Sequence, residues 1–479
     1  MYVGLDLGTS SLKAIVIDDK QNVVATATAE IAVSRPHPGW SEQDPADWLS
    51  AAEAALSALS SQTDLTAVTG IGLSGHMHGA TILSADDAVL RPCILWNDTR
   101  SHAEAAELDA DPAFRDISGN IVFPGFTAPK LVWVARNEAE IFAKVAKVLL
   151  PKDYLRLWLT GEAVSEMSDA AGTSWLDTGA REWSDTLLAK TGLDRSAMPA
   201  LVEGSETSGA LRKNIADRFG LPAGTPVAGG AGDNAAAAIG MGVISPGQAF
   251  VSLGTSGVLF AANDSYRPDA ATAVHTFCHA IPDTWHQMGV ILAATDALNW
   301  YGRFVGSDAA SLTAELGALE APGKAVFLPY LGGERTPLNN AAIRGAFVGL
   351  EHATDRVAGT RAVLEGVTFA LRDCRDALAA TGTRLDRLTA VGGGARSEYW
   401  LTAIATALDC PVEVPASAEL GAAFGAARLG MMVATGEDRS VATPPEISAT
   451  IAPDPSMRAA FDDGMERYRK ARTAIGELT

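Results

Sequence analysis

Cysteine is scarce: Cys93, Cys278, Cys374 and Cys410 are scattered through 479 residues and form no C-x-x-C pair. That spacing excludes a disulfide framework and a cysteine zinc site, and it predicts reduced thiols in or near a core. Basic residues are outnumbered, 37 Lys and Arg against 57 Asp and Glu, for a formal net charge of -20. Nucleic acid is excluded as a partner on this balance, because a phosphate backbone needs a basic face. Any anionic ligand must be held by backbone groups or by a metal. No apolar run approaches the roughly 20 residues that span a bilayer. Met1 leads straight into a strand-like segment with no signal-peptide pattern, so a soluble, cytoplasmic protein with no membrane partner is expected. Neither G-x-G-x-x-G nor G-x-x-x-x-G-K-[ST] occurs, which argues against a Rossmann dehydrogenase and a P-loop enzyme.

What is present is a chain too long for one core, 47% hydrophobic, whose size predicts two or three domains. The segment Y-V-G-L-D-L-G-T-S-S-L-K-A-I-V-I-D reads as a strand, a turn at Gly8, Thr9 and Ser10, and a second strand from Leu12 to Ile17. Q-A-F-V-S-L-G-T-S-G-V-L-F-A repeats that layout, with its turn at Gly254, Thr255 and Ser256. Two hairpins with the same turn suggest two related domains. Strands and helices alternate between and after them, giving an α/β class. The best boundary falls near Gly242 to Gly247, dividing the chain into 1–243 and 244–479. The Pro-containing stretch from Thr443 to Pro455 reads as a loosely packed connection.

Several stretches suit chemistry. A Gly-Thr-Ser turn is an ordinary hairpin turn or a concave nest of N–H groups and hydroxyls that holds phosphate without lysine. Two such turns, with Asp6 just before the first, favour the nest and place a carboxylate to hold Mg²⁺ through water. In A-G-G-A-G-D-N-A-A-A-A, Asp233 and Asn234 stand alone among Gly and Ala, which presents a carboxylate at a loop-to-helix junction where a ligand can come close. His76 and His78 sit two apart at a strand end, where hydrogen bonding to a polyhydroxy ligand suits them better than metal ligation. I-L-W-N-D-T-R, with Trp96, Asn97, Asp98 and Arg100, is the mixture a sugar site uses, and equally that of a surface salt bridge beside a core tryptophan. V-G-G-G-A-R-S-E-Y-W, after a strand and opening a helix, lets backbone approach something flat or anionic. The loop G-G-E-R-T-P-L-N-N, Gly332 to Asn340, lines a cleft or is merely solvated.

In common order, D-L-G-T-S, S-R-P-H-P-G-W-S-E-Q-D-P, G-H-M-H-G-A, I-L-W-N-D, L-L-P-K-D-Y-L-R, the Gly-Asp-Asn stretch, S-L-G-T-S-G, G-E-R-T-P and G-G-G-A-R-S-E-Y-W resemble the FGGY carbohydrate kinases over nearly the whole chain. Gly125 to Asn137 resembles that family's first signature in full. The second signature is matched only in part, with Ala358 and Gly359 departing from it, and Leu338 stands where His is common. The resemblance implies two actin-like, ribonuclease-H-like ATPase domains with ATP and sugar in the cleft between them. It implies phosphorylation of D-xylulose on its terminal hydroxyl, with ribulose, glycerol or gluconate as alternatives and a non-catalytic nucleotide-dependent sensor as the rival class. Asp233 becomes the general base, and Asp6 the residue that, with Asp233, organises Mg²⁺ through water. Met77, His78 and Asn234 border the sugar, beside Trp96 and Asp98. Thr9 and Ser10 in the first turn, and Gly254 and Thr255 in the second, flank the phosphates. Gly393, Gly394 and Ser397 lie against adenosine. A homodimer is plausible for the family.

Overall fold

The computed structural model describes residues 1–417 and 420–478. Both Gly-Thr-Ser turns join adjacent antiparallel strands. The first lies between β1 (Tyr2–Leu7) and β2 (Ser11–Ile17), and β3 (Val23–Glu30) continues the meander. On its other edge β1 pairs in parallel with β4 (Gly70–Gly75), which aligns Asp6 with Ser74. Beyond β4 come β6 (Pro226–Ala228) and then β5 (Thr207–Ala210), while the short β7 (Ala231–Gly232) pairs with the far end of β4.

The second sheet repeats this plan. Its hairpin is β8 (Gly247–Leu253) with β9 (Gly257–Asn263), flanked by β11 (Trp285–Ile291) and an extra edge strand, β10 (His275–Cys278). Parallel strands β12 (Leu385–Val391) and β13 (Val412–Pro415) follow on the other side of β8, then antiparallel β14 (Ile447–Ile451). Three antiparallel strands, two parallel ones and an antiparallel edge thus recur in each half. β14 corrects the expectation of a loose connection from Thr443 to Pro455. Ile447, Thr450 and Ile451 suit a strand, and the edge of β13 supplies the ladder that makes one of so short a stretch, a non-local cause.

Helices cover the sheets: α1 (Pro45–Gln62), α2 (Thr127–Asn137), α3 (Pro151–Thr160), α4 (Asp233–Met241), α5 (Thr295–Val305), α6 (Arg356–Ala380), α7 (Glu398–Leu408), α8 (Ala422–Thr435) and α9 (Arg458–Gly476). α1 shows how locally determined these are. Asp44 caps it by accepting from Ala46 N, Pro45 opens it, and Trp48, Ala52, Leu56 and Leu59 bury one face. α8 behaves differently. It follows the second sheet's parallel strands in sequence but packs on the first sheet, backbone against backbone: a β-carbon on Gly72 would lie 1.7 Å from Ala426 O. A division of the chain at 243/244 therefore parts α8 from the sheet it covers.

Gly359, one of the two departures in the second signature, also has a packing reason. The Tyr301 hydroxyl occupies the place of its β-carbon, 2.0 Å away. Leu338 packs against the core of the second half. All four cysteines are free and buried. Among the described residues no helix is long and apolar enough to cross a membrane.

Candidate active site

Asp233 is the first residue of α4, whose N-cap is Gly232. Its Oδ1 accepts from its neighbour's backbone, Asn234 N at 2.7 Å, and from Asn234 Nδ2 at 2.9 Å. Asn234 thus orients the carboxylate and leaves Oδ2 for a ligand. Burial raises the pKa of Asp233, and the bonds from Asn234 offset part of that rise. It is therefore a better proton acceptor than an ordinary exposed carboxylate.

Gly232 is itself anchored, its N–H donating to Ser168 Oγ at 3.0 Å. That hydroxyl donates to Glu166 Oε2 at 2.8 Å, within a fully buried cluster in which Lys152 Nζ meets Asp153 at 2.8 Å, Asp169 at 3.2 Å and Glu166 at 3.3 Å. Ser168 and this cluster were not anticipated, although L-L-P-K-D-Y-L-R, containing Lys152 and Asp153, was among the family-like stretches.

Asp6, next to last in β1, lies near this junction. Its pKa is pushed up to about 6, first by burial and then by the negative charge of Asp233, with Lys13 pulling the other way. The Ser74 hydroxyl lies opposite in the strand register, yet Oδ1 of Asp6 closes no hydrogen bond of normal geometry among the described residues. Two carboxylates that repel each other, one with an orphaned oxygen, suit a divalent cation. Among the described residues no group of three or more His, Cys, Asp or Glu side chains could hold a metal ion, so Asp6 and Asp233 offer such a cation two carboxylates at most.

The first Gly-Thr-Ser turn is held from several sides. Gln43 Nε2 donates to Thr9 O at 2.6 Å, Ile31 N to Ser10 O at 2.9 Å, and Trp96 Nε1 to Thr9 Oγ1 at 2.9 Å. In the second turn the carbonyl of Gly254 accepts from Thr295 N at 2.9 Å, and that of Thr255 from Ala294 N at 2.8 Å, docking the turn on the start of α5. Ser10 and Thr255 remain exposed. The Gly392 to Ser397 segment borders a cavity of about 700 Å³ lined by Gly393, Gly394, Ser397, Tyr399, Thr295 and Leu298. Open space faces Gly393, whereas Gly394 packs against Leu253 and Trp400, and Ser397 caps α7 through Trp400 N.

His76 and His78 separate clearly. His76 is buried edge-on against Trp48 with neither ring nitrogen bonded among the described residues. His78 adopts a left-handed backbone, φ 71°, rare for a non-glycine and typical of functional sites. Lys130 Nζ and Thr127 Oγ1 donate to its carbonyl at 2.8 and 3.1 Å, and Phe126 stacks on its ring. Burial holds its pKa down to about 3, so the ring is neutral. Its Nδ1 lies 2.7 Å from Gly172 O. A carbonyl only accepts, so Nδ1 carries the proton and Nε2 is an acceptor for a ligand hydroxyl. Gly172 makes room for this ring, since a β-carbon there would lie 2.5 Å from it. Met77, 6% exposed, packs against Gly232 and supplies an apolar floor.

One expected sugar contact is corrected. Asp98 is buried, with its oxygens taken by Arg100 Nε at 2.9 Å, Arg100 Nη2 at 2.6 Å and Ser41 N at 2.6 Å. Arg100 also bonds Glu42 and lies over the Trp40 ring, 3.6 Å from its centroid. The salt-bridge alternative therefore describes Asp98 and Arg100, buried rather than on the surface. Trp96 is the opposite of a core tryptophan, 47% exposed.

The chain matches the models of the FGGY family of carbohydrate kinases, N-terminal domain over residues 1–240 and C-terminal domain over residues 249–434. It is 47% identical over 475 residues to the xylulose kinase of Escherichia coli K12, covering 98% of each chain. It is 49% identical over 432 residues to that of Klebsiella pneumoniae, covering 90% of this chain and 89% of the other. Among solved structures, a xyloylose kinase from Brucella ovis superposes with a TM-score of 0.99 at 63% identity over the whole of both chains. The xylulose kinase of Rhodospirillum rubrum gives 0.93 at 31% identity, covering 100% of this chain and 99% of the other.

Proposed function

The chain belongs to the FGGY family of carbohydrate kinases, and from that premise and the site geometry we propose its reaction: transfer of the γ-phosphoryl group of ATP to the terminal hydroxyl of D-xylulose, giving D-xylulose 5-phosphate and ADP. The protein is a xylulose kinase, similar over nearly its full length to two curated xylulose kinases. The observation that carries the mechanism is Asp233, buried at the start of α4 with one oxygen fixed by Asn234, beside a second carboxylate, Asp6.

Phosphoryl transfer asks little covalent chemistry of a protein and much positioning and charge stabilisation. Asp233 accepts the proton of the sugar hydroxyl as that oxygen bonds to phosphorus, and a base of this kind contributes about 10²- to 10⁴-fold. His78 Nε2 accepts from a second sugar hydroxyl, and Met77 floors the sugar. The two Gly-Thr-Ser turns, at the exposed Ser10 and Thr255, take the phosphate oxygens from either side. Trp96, bonded to Thr9, ties the sugar wall to the first of these turns. The cavity at Gly393 receives adenosine, with the flat backbone of the glycine turn against the base. Asp6 and Asp233 would hold Mg²⁺ through water, and when bound it neutralises charge on the phosphates.

The test is ADP release with D-xylulose, D-ribulose, L-ribulose, glycerol and gluconate. The largest kcat/KM is expected with D-xylulose; a larger value for any other acceptor overturns the substrate assignment.

A further inference from the structure

The G-E-R-T-P loop has no part in the site described so far, yet it is built with care. Thr336 N donates to Val290 O at 3.0 Å and Thr336 Oγ1 to Ala273 O at 3.0 Å, while Glu334 and Asn340 exchange backbone bonds of 2.9 Å. Glu334 Oε1 accepts from Leu292 N at 3.0 Å and from Arg335 N at 2.8 Å. These contacts fix the loop to β11 and its surroundings, and what the fixed loop holds out is Arg335.

The Arg335 guanidinium lies over the ring of Phe123, 4.5 Å from the centroid, and no described residue gives it a hydrogen bond or an ion pair. Comparable half-buried or buried arginines are served quite differently. Arg181 has Glu203 and the carbonyl of Thr284, and Arg428 has three carbonyls besides Gln21. Phe123 belongs to an aromatic wall with Phe126 and His275, at ring separations of 5.6 and 5.3 Å, and Phe126 stacks on His78 at 4.6 Å. The charge of Arg335 acts on both His78 and His275, so the cation faces the wall that carries the proposed sugar-binding histidine.

A guanidinium has five donors and no acceptor, and His78 Nε2 is an acceptor without a donor. Between them they match oxygens that both give and take hydrogen bonds. Asp233 takes the terminal hydroxyl, so this pair faces the other end of the acceptor. We propose that Arg335 is a substrate-binding, specificity-determining residue, donating hydrogen bonds to the keto-end oxygens of the sugar, so that bound ketose joins the loop of the C-terminal half to the His78 wall. This rests on the xylulose kinase reading above.

Calorimetric titration of D-xylulose and of xylitol, its carbonyl-reduced counterpart, into wild type, Arg335→Met and Arg335→Lys tests the assignment, with MgADP as the second titrant and the unfolding temperature as a fold check. Arg335→Met keeps an apolar chain over Phe123 and should weaken D-xylulose about 10- to 100-fold, the worth of a charge-assisted hydrogen bond. It should also erase the preference for ketose over polyol, leave MgADP affinity within about twofold, and not lower the unfolding temperature, since it removes a cation that lacks a partner. Arg335→Lys keeps the charge but not the planar fork and should also lose at least about tenfold. D-xylulose affinity unchanged in both variants, or sugar and MgADP affinities falling together, overturns the proposal. If wild type turns over another acceptor instead, the substrate reading fails by itself; the same variants titrated with that acceptor then decide Arg335, with unchanged affinity again overturning it.

Discussion

At the scale of single residues, Asp6 links stability to chemistry. Its folded pKa, about 6, lies above the ordinary carboxylate value of 3.8, so the folded state holds its proton more tightly than the unfolded chain. The contribution to stability is then fullest below the unfolded value and is lost as pH rises through about 6. At neutral pH the ionised Asp6 is a cost, and Asp6→Asn should stabilise the fold by roughly 1 to 3 kcal/mol while removing activity. Thermal unfolding in metal-free buffer checks this: the gain should shrink as pH falls toward 4, and an Asn variant less stable at neutral pH contradicts it. Asp6 and Asp233 were both legible in the sequence, one as a carboxylate at a strand end, the other as the lone charge among glycines and alanines. The distinction between His76 and His78 was not, because it depends on a left-handed turn and on Gly172, a neighbour 94 residues away in the chain. Asp98 misled because D-T-R does not say whether its acid turns to a ligand or to Arg100.

At the scale of elements, α4 does more than carry Asp233; it fixes where the carboxylate points. Ser168 holds the N–H of Gly232, and Glu166 holds Ser168. Ser168→Ala leaves a buried N–H without a partner and Glu166 with one donor fewer, a loss of about 1 to 3 kcal/mol by the usual cost of such groups. Because that N–H immediately precedes Asp233, the proposed base, kcat should also fall, by about tenfold or more, with the KM for ATP little changed. Steady-state kinetics and thermal unfolding of this variant check both expectations. Hairpins and helices such as α1 were readable because their period and caps are local. β14 was not, since its partner β13 decides it. The Ser168 cluster escaped for the same reason: its members become neighbours only when α3, the segment after it and β7 are brought together.

At the scale of the molecule, a repeated strand plan and a shared turn make two related halves, as the repeated G-T-S stretches suggested. Their join is closer than the sequence division implied, because α8 lies on the first sheet with its backbone in contact at Gly72. Gly72→Ala would force a β-carbon to 1.7 Å from Ala426 O. Destabilisation should exceed the roughly 1 to 3 kcal/mol of ordinary overpacking, because backbone cannot step aside as a side chain can. Denaturant unfolding measures it, and a loss below about 1 kcal/mol contradicts the close join. The central claim is that this assembly delivers the sugar hydroxyl to Asp233. Its most direct test is ADP formation from MgATP and D-xylulose by wild type and Asp233→Asn. The account predicts a fall in kcat of at least about a hundredfold, within the range for a missing base, with nucleotide affinity retained. An Asn variant that keeps a rate near that of wild type would contradict it.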